Sequence, residues 1–217
     1  MPNFQKIIDI LSNAFSVLDF SFIISGTCSF LIIVYDLYCH DIFFFVENVT
    51  LTVVCGMLLA YVCGLFSWLI GRGIRYQFRK RDKSFNEAYT NAMGFVGNFH
   101  LPEKLEVMKN IRLGRKEAYS FMWTELEKIE AARDKFSFIR RLWVMRAMFE
   151  GLITSCLLGI VALFDLKYYL GDELTWLTVI VPSILLLFCA CLSAHEAKRC
   201  AENQITEVIL SYYAYVN

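Results

Sequence analysis

The chain has 217 residues, 57% of them hydrophobic, and its 21 basic and 21 acidic side chains cancel to a formal charge of zero. Eight cysteines, six of them inside apolar segments, exclude a disulfide framework, and the histidines, His40, His100 and His195, fall on different elements. No Gly-rich phosphate loop, no His-Glu-x-x-His and no nucleophile elbow is present, so the common catalytic signatures are excluded and the chain is not expected to be an enzyme.

The N-terminal stretch 1–19 places Phe4, Ile7, Ile8, Leu11, Phe15 and Leu18 at three- and four-residue spacing, which predicts a short amphipathic helix lying along a membrane interface. A signal peptide is not expected, because Lys6 alone precedes this stretch and the first apolar segment runs past any plausible cleavage point. Segments are judged against the roughly 20 apolar residues that cross a ~30 Å hydrocarbon core. Phe20–Tyr35 reaches that length only with Asp36 and Leu37 at the interface, and Ala147–Phe164 carries Glu150 just inside its start. Val49–Ile70 and Leu174–Ala194 are uncharged throughout and are the clearest spans, the second tolerating Pro182.

Between the second and third spans lies a basic helical region, 71–146. Ser84 with Glu87 reads as a capping box, Pro102 as the first turn of a helix through Asn110, and from Arg115 an unbroken pattern predicts one long helix entering the third span. The predicted fold class is therefore an all-α membrane protein: four transmembrane helices as two hairpins (20–70 and 147–194), a helical cytoplasmic region (71–146) between them, and a cytoplasmic tail (195–217).

Orientation follows from the placement of Lys and Arg. From Gly71 to Met148 there are 17 basic and 9 acidic residues, against 4 and 12 elsewhere. The 36–48 loop holds no Lys or Arg, so both termini and the basic region are expected on the cytoplasmic side of the membrane. Arg72, Arg75, Arg79, Lys80, Arg81 and Lys83 follow the second span directly and are expected to contact lipid headgroups rather than nucleic acid.

Small residues recur every fourth position. Gly56, Ala60 and Gly64 mark one face of the second span, Ala147, Gly151, Ser155 and Gly159 one face of the third, and Ser21, Ser25 and Ser29 one face of the first. Such faces let helix backbones approach and serve as packing seams, either within one chain or between copies of it. Glu150, costly inside a bilayer, is expected to form a buried pair with Arg146 or to snorkel to the interface, the alternative being that it lines a water-filled path. Cys189, Cys191, His195 and Cys200 match no zinc spacing, so neither a metal nor a cofactor is expected.

The four spans, the Arg72–Lys83 run, the Ser84-Phe85-Asn86-Glu87 helix start and the small-residue ladders together resemble the small membrane proteins of bacterial anti-phage defence systems. The likeness is to the transmembrane effector of some retrons and the membrane component of Kiwa-type systems. The resemblance implies an inner-membrane effector held inactive by a cytoplasmic protein or ribonucleoprotein partner and released on infection to perturb the membrane, acting on lipids, oligomeric, and without a small-molecule substrate. The same residues also fit a non-conducting anchor or sensor that recruits a soluble nucleic-acid-binding partner. A small transporter or channel fits less well, since inverted repeats and broken spans are not evident.

Overall fold

In the computed structural model, described for residues 17–42, 49–78, 81–96 and 114–216, the long elements are all helical. They are α1 (Val17–Cys39), α2 (Val49–Phe78), α3 (Arg81–Val96), α4 (Arg115–Lys128), α5 (Arg133–Leu170) and α6 (Trp176–Val216), with single 3-10 turns at Glu130–Ala132 and Gly171–Glu173. The expected interfacial helix, apart from its last residues, and the expected Pro102 helix lie outside the described residues.

Four helices are long and apolar enough to cross a membrane, over Ser21–Cys39, Leu51–Gln77, Glu130–Leu170 and Trp176–Val216. A helix satisfies its own backbone hydrogen bonds, which is why apolar runs of this length take that form in lipid. The all-α class and the four candidate spans stand as expected, although the helices run well beyond the apolar segments: α5 has 38 residues and α6 has 41.

The described residues divide into two compact units. The first comprises those of Met1–Arg75 and Ala147–Ala197. Its polarity is inverted relative to a water-soluble bundle. Large apolar side chains such as Leu31, Leu58, Ile184 and Leu185 are exposed, whereas Ser21, Ser25, Ser29, Ser67, Ser155, Ser193 and Glu150 are buried. That is the distribution of a bundle whose outer surface meets lipid, where leaving Leu outside carries no penalty and polar groups must find partners inside.

The second unit comprises the described residues of Tyr76–Arg146 and Lys198–Asn217. Its core has the ordinary polarity: Ala88, Ala92 and Val96 from α3, Met122 and Leu126 from α4, Phe136 and Ile139 from α5, and Ile205, Val208, Ile209, Tyr212 and Tyr213 from α6. On each helix these recur at three- or four-residue spacing, so each helix turns one face inward. The expected tail is thus no appendage. Val208, Ile209 and Tyr212 are fully buried.

Two local expectations are corrected. The long helix from Arg115 breaks at Ile129, whose backbone is extended (φ −88°, ψ 111°). The chain folds back there: the Trp123 and Phe136 rings lie 5.1 Å apart, and Arg140 Nη2 lies 2.9 Å from Glu127 Oε1. In a continuous helix 13 residues would separate such groups by about 20 Å. No Pro or Gly marks the break; it is driven by burial of Met122 and Leu126 against Ile139, none more than 1% exposed. Ser84 is likewise not a helix cap. Helix α3 already begins at Arg81, and the Ser84 hydroxyl donates to Glu202 Oε1 at 3.4 Å.

Candidate functional site: a polar seam in the membrane unit

Helices α1, α2 and α5 approach one another along glycines and serines. A Cβ on Gly26 would overlap the carbonyl oxygen of Ala60, and one on Gly64 would overlap that of Phe22. A Cβ on Gly71 would overlap the Glu150 carbonyl, and one on Gly151 would collide with the Ser25 side chain. Backbones this close leave no room for apolar side chains between them, and the groups that remain in the seam are small and polar.

Deep in the seam, Ser29 Oγ lies 2.7 Å from Ser67 Oγ and 2.8 Å from Ser155 Oγ, so one hydroxyl from each helix meets at a single cluster. Ser155 Oγ also lies within donating distance of the Ser25 carbonyl (3.0 Å) and the Gly151 carbonyl (3.2 Å), while Ser25 donates to its own helix at Ser21. Thr154 ties α5 to α2 again, donating to the Ser67 carbonyl at 2.7 Å.

About one and a half helical turns from Ser155 sits Glu150, 1% exposed. Its Oε1 lies 2.7 Å from Arg75 Nη2, and its Oε2 accepts the Trp68 indole N–H at 2.9 Å. Trp68 is held in turn by the edge of Phe22, with centroids 5.5 Å apart, and by Arg72, whose guanidinium carbon is 5.1 Å from its ring centroid. The close approach at Gly71 is what lets Arg75, four residues on along the same face of α2, reach the carboxylate.

The expected site residues are therefore distributed unevenly. Gly64, Gly151 and Ser155 lie in the seam, and Ala60 and Ala147 are buried in the same unit. Gly159 is directed at the side chains of Leu186 and Ile32. Gly56, by contrast, faces open space. Glu150 has a guanidinium partner in Arg75, which the sequence placed among the headgroup contacts, and Arg146 Nη2 donates to the Tyr76 hydroxyl at 3.1 Å. Lys83 is exposed beside Glu87, Arg79 and Lys80 lie outside the described residues, and only the backbone of Arg81 is described.

Gly26, Ser67, Trp68 and Gly71 were missed as seam residues. The signal was available: Ala60, Gly64, Ser67, Trp68, Gly71 and Arg75 follow one helical face. Comparison with known protein families, curated proteins and solved structures found no match.

Chemically, the seam is a hydrogen-bonded polar track enclosed by an apolar exterior and closed at one end by an ion pair. Its groups bond to one another across the helices while these are together. Separating them in a bilayer would leave a carboxylate, a guanidinium and several hydroxyls in need of water.

Proposed function

We propose that the chain is a membrane-perturbing effector whose α1–α2–α5 seam parts to admit water and ions, under control of a cytoplasmic protein or ribonucleoprotein acting on the second unit. The observation that carries this reading is the Glu150–Arg75–Trp68 cluster, contiguous with the three bonded serines inside a lipid-facing bundle. Ionisable groups at membrane depth are costly and mark ion or water pathways. The reading is in keeping with an anti-phage effector of the inner membrane with both termini cytoplasmic, non-enzymatic, free of cofactors and active as an oligomer.

One observation favours the anchor or sensor reading instead: the second unit has a complete apolar core of its own, as a recruiting module would. Expression of the whole chain in bacteria with a membrane-potential dye separates the two. The effector reading expects depolarisation and growth arrest, lost on replacing Ser29 and Ser155 with Val while membrane abundance is unchanged. A chain that never depolarises cells, with or without phage challenge, rejects the effector and leaves the anchor.

A further inference from the structure

Within the membrane unit, Asp36 and His40 at the C-terminal end of α1 meet Asp165 of α5, and one ligand atom from each lies within 4.8 Å of the others. We propose that these three side chains bind a single divalent transition-metal ion of the zinc class, which would join α1 to α5.

The hydrogen bonding of His40 supports this first. Its Nδ1 is 2.8 Å from the Asp36 carbonyl oxygen. A carbonyl only accepts, so Nδ1 carries the hydrogen, and in the neutral imidazole Nε2 presents its lone pair. Yet Nε2 lies 3.2 Å from Asp165 Oδ2, which also presents only lone pairs when ionised. Two electron-rich atoms at that distance require a positive charge between them. A backbone carbonyl on the far ring nitrogen is also the usual partner of a metal-bound histidine, fixing its tautomer and plane. The Tyr169 ring, with its centroid 4.3 Å from that of His40, braces the imidazole further.

Asp36 supplies the second argument. Its Oδ1 is buried and has no hydrogen-bond partner among the described residues, a costly state for a carboxylate oxygen unless something else binds it. Distances supply the third. Ligands bound to zinc at 2.0–2.2 Å in a tetrahedron stand about 3.4 Å apart, close to the His40–Asp165 separation of 3.2 Å, and the Asp36 ligand atom lies within 4.8 Å of both. One imidazole and two carboxylates leave a fourth position for water. The half-exposed Asp165 side chain (51%) leaves an entry path.

The alternative source of positive charge is a proton, which would make His40 an imidazolium paired with Asp165 and no metal site. The two are separated with the full-length chain in detergent, stripped with EDTA, accessible thiols alkylated, and titrated with Zn2+. One Zn2+ per chain and a raised melting temperature are expected. Asp36→Asn, His40→Gln and Asp165→Asn should each weaken binding tenfold or more, whereas His195→Gln should not. Co2+ added to the unaltered protein gives a readout that needs no variant: intense tetrahedral d–d bands are expected. An aqueous-type Co2+ spectrum, no change on adding Zn2+, or Zn2+ binding by all three variants as tight as that of the unaltered chain overturns the site.

Discussion

Glu150 and Arg75 allow a quantitative test of the polar seam. Glu150→Gln keeps the size of the side chain and an oxygen for the Trp68 N–H, but removes the Glu150 charge from beside the Arg75 guanidinium, which is 13% exposed. Arg75→Met leaves the carboxylate with only Trp68 among these two partners. Breaking one side of a buried pair costs about 3–5 kcal/mol, whereas replacing both charges is close to neutral because the desolvation cost disappears with them. The double variant is therefore expected to be more stable than either single one. Its coupling energy should amount to several kcal/mol, far above the ~0.5 kcal/mol scatter of additive pairs. Loss of helicity in graded SDS on the purified chain measures all four corners of the cycle. Additive single effects within that scatter would refute the pair as the closure of the seam.

The glycines separate seam from surface: Gly26→Leu and Gly64→Leu should each destabilise by at least the 1–3 kcal/mol of overpacking, since what they strike is backbone, while Gly56→Leu should be near neutral in the same SDS assay. Burial pushes Tyr119 up to about 12. Its unfolded form ionises near 10, so the stability it contributes is complete below pH 10 and falls by up to about 1.4 kcal/mol per pH unit as pH rises from 10 towards 12. Unfolding at pH 9 and pH 11 checks this, with Tyr119→Phe reducing the slope. A reporter active only outside the cytoplasm should be active when fused at Asp41 or Asp172 and silent at Asn98 or Asn217; the reverse pattern would overturn the orientation. A proline at Ile129 should be tolerated, because that residue is already extended and its N–H makes only the turn bond to Leu126 (3.2 Å), whereas Phe136→Pro inside α5 should cost ~3 kcal/mol or more by the same measurement.

Length and composition made the spans legible, because an uncharged run such as Val49–Ile70 has one stable form in lipid. Small-residue spacing made part of the seam legible: Gly64, Gly151 and Ser155 were marked by their four-residue repeats. Gly56 shows the limit of that signal, since a repeat identifies a face but not which neighbour lies against it, or whether any does. Arg75 escaped notice as a Glu150 partner for a related reason: it is far from Glu150 in sequence and reaches the carboxylate from α2, where the Gly71 approach brings the backbones together. The fold-back at Ile129 carried no local mark at all. Its cause is tertiary, the burial of Met122 and Leu126, and helical periodicity reads the same on either side of it.

The two units bury opposite things, and this is the property of the chain that sequence hydropathy describes least well. In the second unit, apolar side chains such as Tyr212, Ile209 and Met122 pack inward, and water outside supplies the driving force. In the first, lipid is as apolar as leucine, so burying leucine gains little; close backbone contact and hydrogen bonds among Ser29, Ser67, Ser155, Glu150 and Trp68 hold the helices together instead. Contacts of that kind are strong only while dry. Hydroxyls and an ion pair that meet water exchange protein partners for solvent at little net cost, so wetting the seam removes much of what holds it closed. A bundle held this way is stable while its seam stays dry, and the proposed effector reading rests on that dependence on water.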